Sequence, residues 1–141
     1  MSGDVGTHSG LPEDTFAVEK LLTWSKREEL NYWLAPDNKT GAQFILDLGQ
    51  LVKVRNIVLV NTHNGNKRDR STKGFMVSLA FQTSGPWEQV LKQELPDNRN
   101  YVEPAPPKII EIYPTEARFV KFELLSFWGK GGGLQYFAVN G

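Results

Sequence analysis

Residues 75–91 read FMVSLAFQTSGPWEQVL. Phe75, Val77, Leu79 and Phe81 fall on one side of an extended chain, opposite Met76, Ser78, Ala80 and Gln82, which is the period-two alternation of a strand with one buried face. Thr83-Ser84-Gly85-Pro86 has the composition of a turn, and Trp87-Glu88-Gln89-Val90-Leu91 resumes the extended pattern. The stretch therefore reads as a hairpin, with Trp87 expected in the core.

Working outward, the same period recurs. Ala42, Phe44, Leu46 and Leu48 alternate with Gln43, Ile45 and Asp47; after a break at Gly49-Gln50, a second apolar run covers Leu51 to Val60. On the other side, the section from Pro96 to Pro107 holds four prolines and must be a loop. Three further strands are predicted at Lys108–Tyr113, Ala117–Ser126 and Leu134–Val139. Residues 14–34 show no sustained apolar stripe, so loops with short turns are expected there. Short strands, frequent turns and no long helix argue for an antiparallel sandwich or jelly roll and against a parallel sheet with crossover helices.

The chain has 141 residues, 40% hydrophobic, enough for one core without disulfides or metal. The formal net charge is zero, so no global field recruits nucleic acid, and an electrostatic partner must meet a local patch. With no cysteine, thiol chemistry is excluded. No opening signal peptide or spanning segment is evident. A complete chain would then be cytoplasmic, and a domain of a larger secreted protein extracellular. Two histidines, without a nucleophile elbow or a His-x-x-x-His pair, offer no catalytic constellation, so a non-enzyme is expected.

Several stretches, in order, resemble one known family. Gly41-Ala42-Gln43-Phe44-Ile45-Leu46-Asp47-Leu48-Gly49 is similar to the Gln, aromatic, alternating apolar, Asp-Leu-Gly strand of the discoidin, or coagulation factor type C, family. Val54 to Leu59 resembles its next strand, and Phe75 to Ala80 with Trp87-Glu88-Gln89-Val90 its "strand, turn, Trp, x, x, Val" hairpin. Ala117 to Phe122, then Leu134 to Gly141, look like its closing strands. The resemblance implies an all-β, galactose-binding-like sandwich, an eight-stranded jelly-roll barrel, with residues 1–12 a flexible segment and 13–141 one domain. It also implies recognition by loops at one end of the barrel, with sugars, anionic phospholipids or proteins as ligands. Carbohydrate-binding members of the wider group often hold calcium through carboxylates near the first strand and in the last. Here Leu21-Leu22-Thr23-Trp24-Ser25 and Leu134 to Val139 supply none, so no metal or other cofactor is expected. The fucose-binding lectins' His-to-Arg-x-Asp spacing is not reproduced by His63 and Arg68-Asp69.

Between the second apolar run and the hairpin stands NTHNGNKRDRST, residues 61–72. Asn61, Asp69 and Thr72 are expected to hold the turn, Asp69 by pairing with Arg68 or Arg70. His63, Asn64, Arg68 and Arg70 are expected to read a ligand, being planar, directional donors. Lys67 and Lys73 complete a small basic cluster. Phe127 and Trp128, in the loop before the last strand, are candidates to cover a sugar's apolar face; one of the two is expected to be core. Glycines 129 and 131–133 serve either close ligand approach or a tight turn. Tyr32 is a further candidate, beside a buried Trp33. The expected partner is a glycan or glycoconjugate bound weakly at one shallow site, made useful by oligomerisation or tandem domains. The alternatives are an anionic phospholipid surface and a protein partner.

Overall fold

The computed structural model describes residues 2–3, 33–62, 67–100 and 106–141. Among them the regular structure is all β: β1 Ser2–Gly3, β2 Trp33–Leu34, β3 Gln43–Asn61, β4 Arg70–Thr72, β5 Gly74–Ala80, β6 Glu88–Glu94, β7 Lys108–Leu124, β8 Phe127–Gly129 and β9 Gly133–Asn140. A sheet with the order β2-β9-β3-β7-β5-β6 carries most of the chain, with β1 added to β3, and β4 pairs with β8 in a separate two-stranded ribbon. Every strand pairing is antiparallel.

Two pairs of expected strands are each one long, bent strand. The break at Gly49-Gln50 lies inside β3, where the register to β7 shifts between Asp47 and Val52. Gly49 there adopts φ 83°, and its N–H donates to Asp47 Oδ1 at 2.8 Å. Such a bulge bends a strand without ending it, so β3 can serve both faces of the sandwich. Lys108–Tyr113 and Ala117–Leu124 likewise join as β7, which pairs with both arms of β3.

The alternating residues meet in an aromatic core. Phe44 and Phe122 are register partners with rings stacked at 5.0 Å, and Phe75 stacks on Phe122 at 5.5 Å. Trp33 and Phe137 approach Phe44 edge-on, both at 5.2 Å. Offset and edge contacts of this kind suit the ring quadrupole, adding to the ~1.5–3 kcal/mol that burying each large apolar side chain contributes. Trp33 is buried, as expected.

The hairpin at 75–91 forms, but its ends differ from the sequence reading. β5 stops at Ala80, and a turn closed by Gly85 N–H to Gln82 O takes Phe81 out of the ladder, leaving it 59% exposed. Trp87 precedes β6 and is half-buried, not core; the Lys121 ammonium sits 4.4 Å from its ring centroid. Alternation fixed the face of each strand residue but not where the ladder ended. Phe81 and the exposed Tyr113 lie at the end of the sandwich where β3 and β7 bend. At the other end, residues 35–42, 61–62, 67–73, 95–98 and 125–133 converge.

Candidate ligand-binding site

This second end is assembled by backbone bonds between loops distant in sequence. Lys73 N–H donates to Ser126 O, Leu95 N–H to Lys73 O, Lys130 N–H to Asp69 O, and Ala35 N–H to Gly132 O. The β4–β8 ribbon runs through the middle, pairing Arg70 with Gly129, Ser71 with Trp128 and Thr72 with Phe127.

Asn61 anchors the ribbon. It is buried, its Oδ1 accepts from the N–H of Thr62 (3.0 Å) and of Thr72 (3.1 Å), and its Nδ2 donates to Thr72 O and Ser71 Oγ, both at 2.9 Å. Ser71 Oγ donates onward to Asn98 Oδ1, tying in the proline-rich loop. Thr72 Oγ1 donates to Gly133 O at 2.7 Å and joins β4 to β9. Asn61 and Thr72 are therefore architectural, as expected, though Asn61 holds a strand eleven residues away as well as its own turn.

Among the described residues the ion pair of Asp69 is to a lysine across the ribbon, not to Arg68 or Arg70. Its carboxylate lies 3.9 Å from Lys130 Nζ, while Arg70 pairs with Asp37. Arg70 is buried; Nη2 meets the Asp37 carboxylate, and Nε and Nη1 are enclosed without a hydrogen-bond partner. Arg70 is thus fixed in the frame by Asp37, a pairing the sequence did not suggest, with two guanidinium nitrogens left without a protein partner. Arg68 is exposed, and its backbone sits at φ 51°. A non-glycine residue is rarely held there, so the clamps on Asp69 and Arg70 that follow it determine its position. His63, Asn64 and Tyr32 lie outside the described residues.

Phe127 and Trp128 are both half-buried. Phe127 packs against the core. Trp128 donates its indole N–H to Leu95 O at 3.2 Å, and its ring carries Lys73 Nζ at 4.7 Å and the Arg99 guanidinium at 6.0 Å. The ring thus positions two cations, which alters the expectation of a bare platform for a sugar face. Arg99 is held in turn by a bidentate pair with Asp97, whose carboxyl falls to about 2 because Arg99 hydrogen-bonds to it. Sequence reasoning missed Arg99, since nothing in a proline-rich loop signals that it will fold over a tryptophan 29 positions later.

The glycines serve the chain itself. Gly129 has φ 84°, and a Cβ there would lie 2.2 Å from Asp69 O; at Gly133 it would lie 2.5 Å from Trp33 O. Both allow close backbone packing, which settles at these two positions the choice between ligand approach and tight folding. Beside the ribbon is a cleft of about 280 Å³ whose lining includes Leu59, Asn61, Leu95, Pro96, Asn98 and Lys108. Among the described residues, no group of three or more His, Asp or Glu is placed to hold a metal ion.

Comparison with known structures gives the same fold. The C-terminal domain of a chitobiase from Bacteroides fragilis matches with TM-score 0.75 at 14% identity, covering 100% of this chain and 91% of that one. Chitosan-binding module 1 of a chitosanase/glucanase from Paenibacillus sp. IK-5 matches with TM-score 0.74 at 13% identity, covering 99% and 92%. The CBM32 of AlyQ in complex with 4,5-unsaturated mannuronic acid matches with TM-score 0.70 at 17% identity, covering 99% and 94%. A comparison with curated protein sequences gives no match. The F5/8 type C domain model matches residues 12–137, so the chain belongs to the F5/8 type C, or discoidin, domain family.

Proposed function

We propose that the chain is a non-catalytic recognition module that binds a glycan at the end of the sandwich where the β4–β8 ribbon lies. The observation that carries this reading is the setting of Arg68. It is an exposed, planar donor held at φ 51° and followed by two residues that are tied down, Asp69 near Lys130 and Arg70 to Asp37. A donor fork on a fixed frame suits sugar hydroxyls, because little side-chain and loop ordering is left to oppose binding. Asn61, Arg70 and Thr72 form that frame. His63 and Asn64, in the same loop, would complete the set of readers.

The similar structures support a sugar as ligand: one is a chitosan-binding module, and another holds an unsaturated mannuronic acid. Those sugars differ, so the likeness does not choose among sugar classes. A lipid-inserting reading has less support. Phe127 is packed against the core and Trp128 is tied by its indole N–H, so neither is a free anchor for an acyl layer.

Glycan-array screening of the wild type and Arg68→Ala tests the proposal. Binding to a subset of glycans is expected, weakened about 2- to 10-fold by Arg68→Ala, as loss of one hydrogen bond of ~0.5–1.5 kcal/mol requires. A blank array from a folded sample would refute it for the sugars displayed.

A further inference from the structure

The chain as a whole is neutral, yet the end bearing the ribbon is not. The described loops there (residues 35–42, 67–73, 95–100 and 125–133) carry three carboxylates, and each faces a cation: Asp37 with Arg70, Asp97 with Arg99, Asp69 with Lys130. Of the four other cations in these loops, Lys39 is engaged elsewhere, and Lys67, Arg68 and Lys73 have no carboxylate within ion-pair distance among the described residues. Glu94, exposed at the end of β6 beside Gly74, is a further carboxylate on this side, offset by Lys92 two residues earlier on the same strand face.

These cations flank one element, Lys67 and Arg68 before β4 and Lys73 directly after it. Arg68 and Lys73 are five residues apart, separated by β4, so their backbones are at most about 17 Å apart, the reach of a fully extended chain. Lys130, with its side chain 67% exposed, flanks the Arg68 end across the ribbon. At the other end Lys73 is held over the Trp128 ring beside Arg99. A ring face attracts an ammonium without neutralising its charge, so Trp128 fixes where Lys73 sits and leaves it able to pair with an anion.

Resting on the glycan reading above, we propose that this site selects acidic oligosaccharides. The ligand would carry carboxylate or sulfate groups spaced along more than one sugar ring, and the positive strip Lys67, Arg68 and Lys73 would meet them, with Trp128 as a positioning residue for Lys73. A neutral sugar would use Arg68 alone and gain nothing from the strip. Because the cations are at the surface, the preference is salt-screened and built from small increments.

The test is calorimetric titration of the whole chain at 50 and 500 mM NaCl. The probes are a six-residue oligouronate, a heparin-derived hexasaccharide, a neutral galacto-oligosaccharide, and phosphatidylserine vesicles. At low salt at least one acidic oligosaccharide should bind five-fold or more tighter than the neutral one, and the difference should collapse at high salt. Whether the uronate or the sulfated probe binds distinguishes carboxylate from sulfate. Lys73→Gln should weaken acidic binding about 2- to 5-fold and leave neutral binding unchanged. Trp128→Leu should do the same and add little in the double variant, since both changes remove one placed charge. If Trp128→Leu fails to fold, Lys73→Gln decides alone. Equal binding of neutral and acidic sugars at both salts would overturn the charge preference and leave the glycan reading standing. Binding to vesicles alone would overturn both, and binding to no probe by a folded sample would overturn the acidic preference.

Discussion

Two backbone amides, those of Thr62 and Thr72, converge on one side-chain oxygen, Asn61 Oδ1, while the same amide group's nitrogen reaches Thr72 O and Ser71 Oγ. All four partners sit where water does not reach, so deleting the side chain strands them. A buried polar group without a partner costs about 1–3 kcal/mol, and partial relaxation offsets some of the sum. Asn61→Ala is therefore expected to lower unfolding free energy by at least ~3 kcal/mol in urea titration, while Asn64→Ala, made in the loop's expected reader, should leave the fold intact. Asn61 and Thr72 were legible in the sequence because short polar side chains beside a turn generally bond nearby backbone. Arg70 was not. Its partner Asp37 stands 33 residues upstream, and only the folded chain brings the two together. The same holds for Lys73, Trp128 and Arg99, each ordinary in its own segment and meaningful only where the three meet.

At the scale of elements, the ribbon depends on a glycine. Gly129 lies opposite Arg70 with φ 84°, and a methyl group there would collide with Asp69 O at 2.2 Å. Neither the conformation nor the space suits alanine, so Gly129→Ala should separate β4 from β8. A loss of about 2 kcal/mol or more in stability is expected, with amide exchange faster at 70–72 and 127–129 than in β5. The long strands have their own fastening across the sheet. Arg118 on β7 forms a bidentate pair with Asp47 on β3, at 2.9 and 3.1 Å, and Gly49 N–H adds a third bond to that carboxylate. These bonds, that of Arg118 foremost, hold the Asp47 carboxyl at about 2, against an ordinary value of 3.8. A carboxyl depressed on folding contributes stability above its unfolded value, and that contribution is lost as pH falls from about 4 towards 2. Asp47→Asn should therefore flatten the stability profile over that window and leave it unchanged in shape between pH 5 and 8, read by thermal unfolding at fixed ionic strength. The group is exposed, so the effect is small. Strands and their faces were readable from alternation, but their continuity was not: the bulge at Gly49 bends one strand where composition suggests two.

At the scale of the molecule, the resemblance seen in the strands is confirmed by the family match over residues 12–137, and the fold places the described part of NTHNGNKRDRST, residues 61–62 and 67–72, at one end of the sandwich. There the loop divides into a frame (Asn61, Arg70, Ser71, Thr72) and an exposed part that includes Lys67 and Arg68. The opposite end presents Phe81 and Tyr113, where no contact with the glycan is expected. That division can be read directly by amide chemical-shift mapping of the ¹⁵N-labelled chain, titrated with the best glycan from the array. Saturable shifts are expected at Lys67–Lys73 and Ser126–Lys130, together with the Arg68 and Arg99 side-chain Nε–H, and none at Phe81, Trp87 or Tyr113. Shifts confined to the Phe81 and Tyr113 end, or a ligand that binds while residues 67–73 stay unmoved, would contradict it.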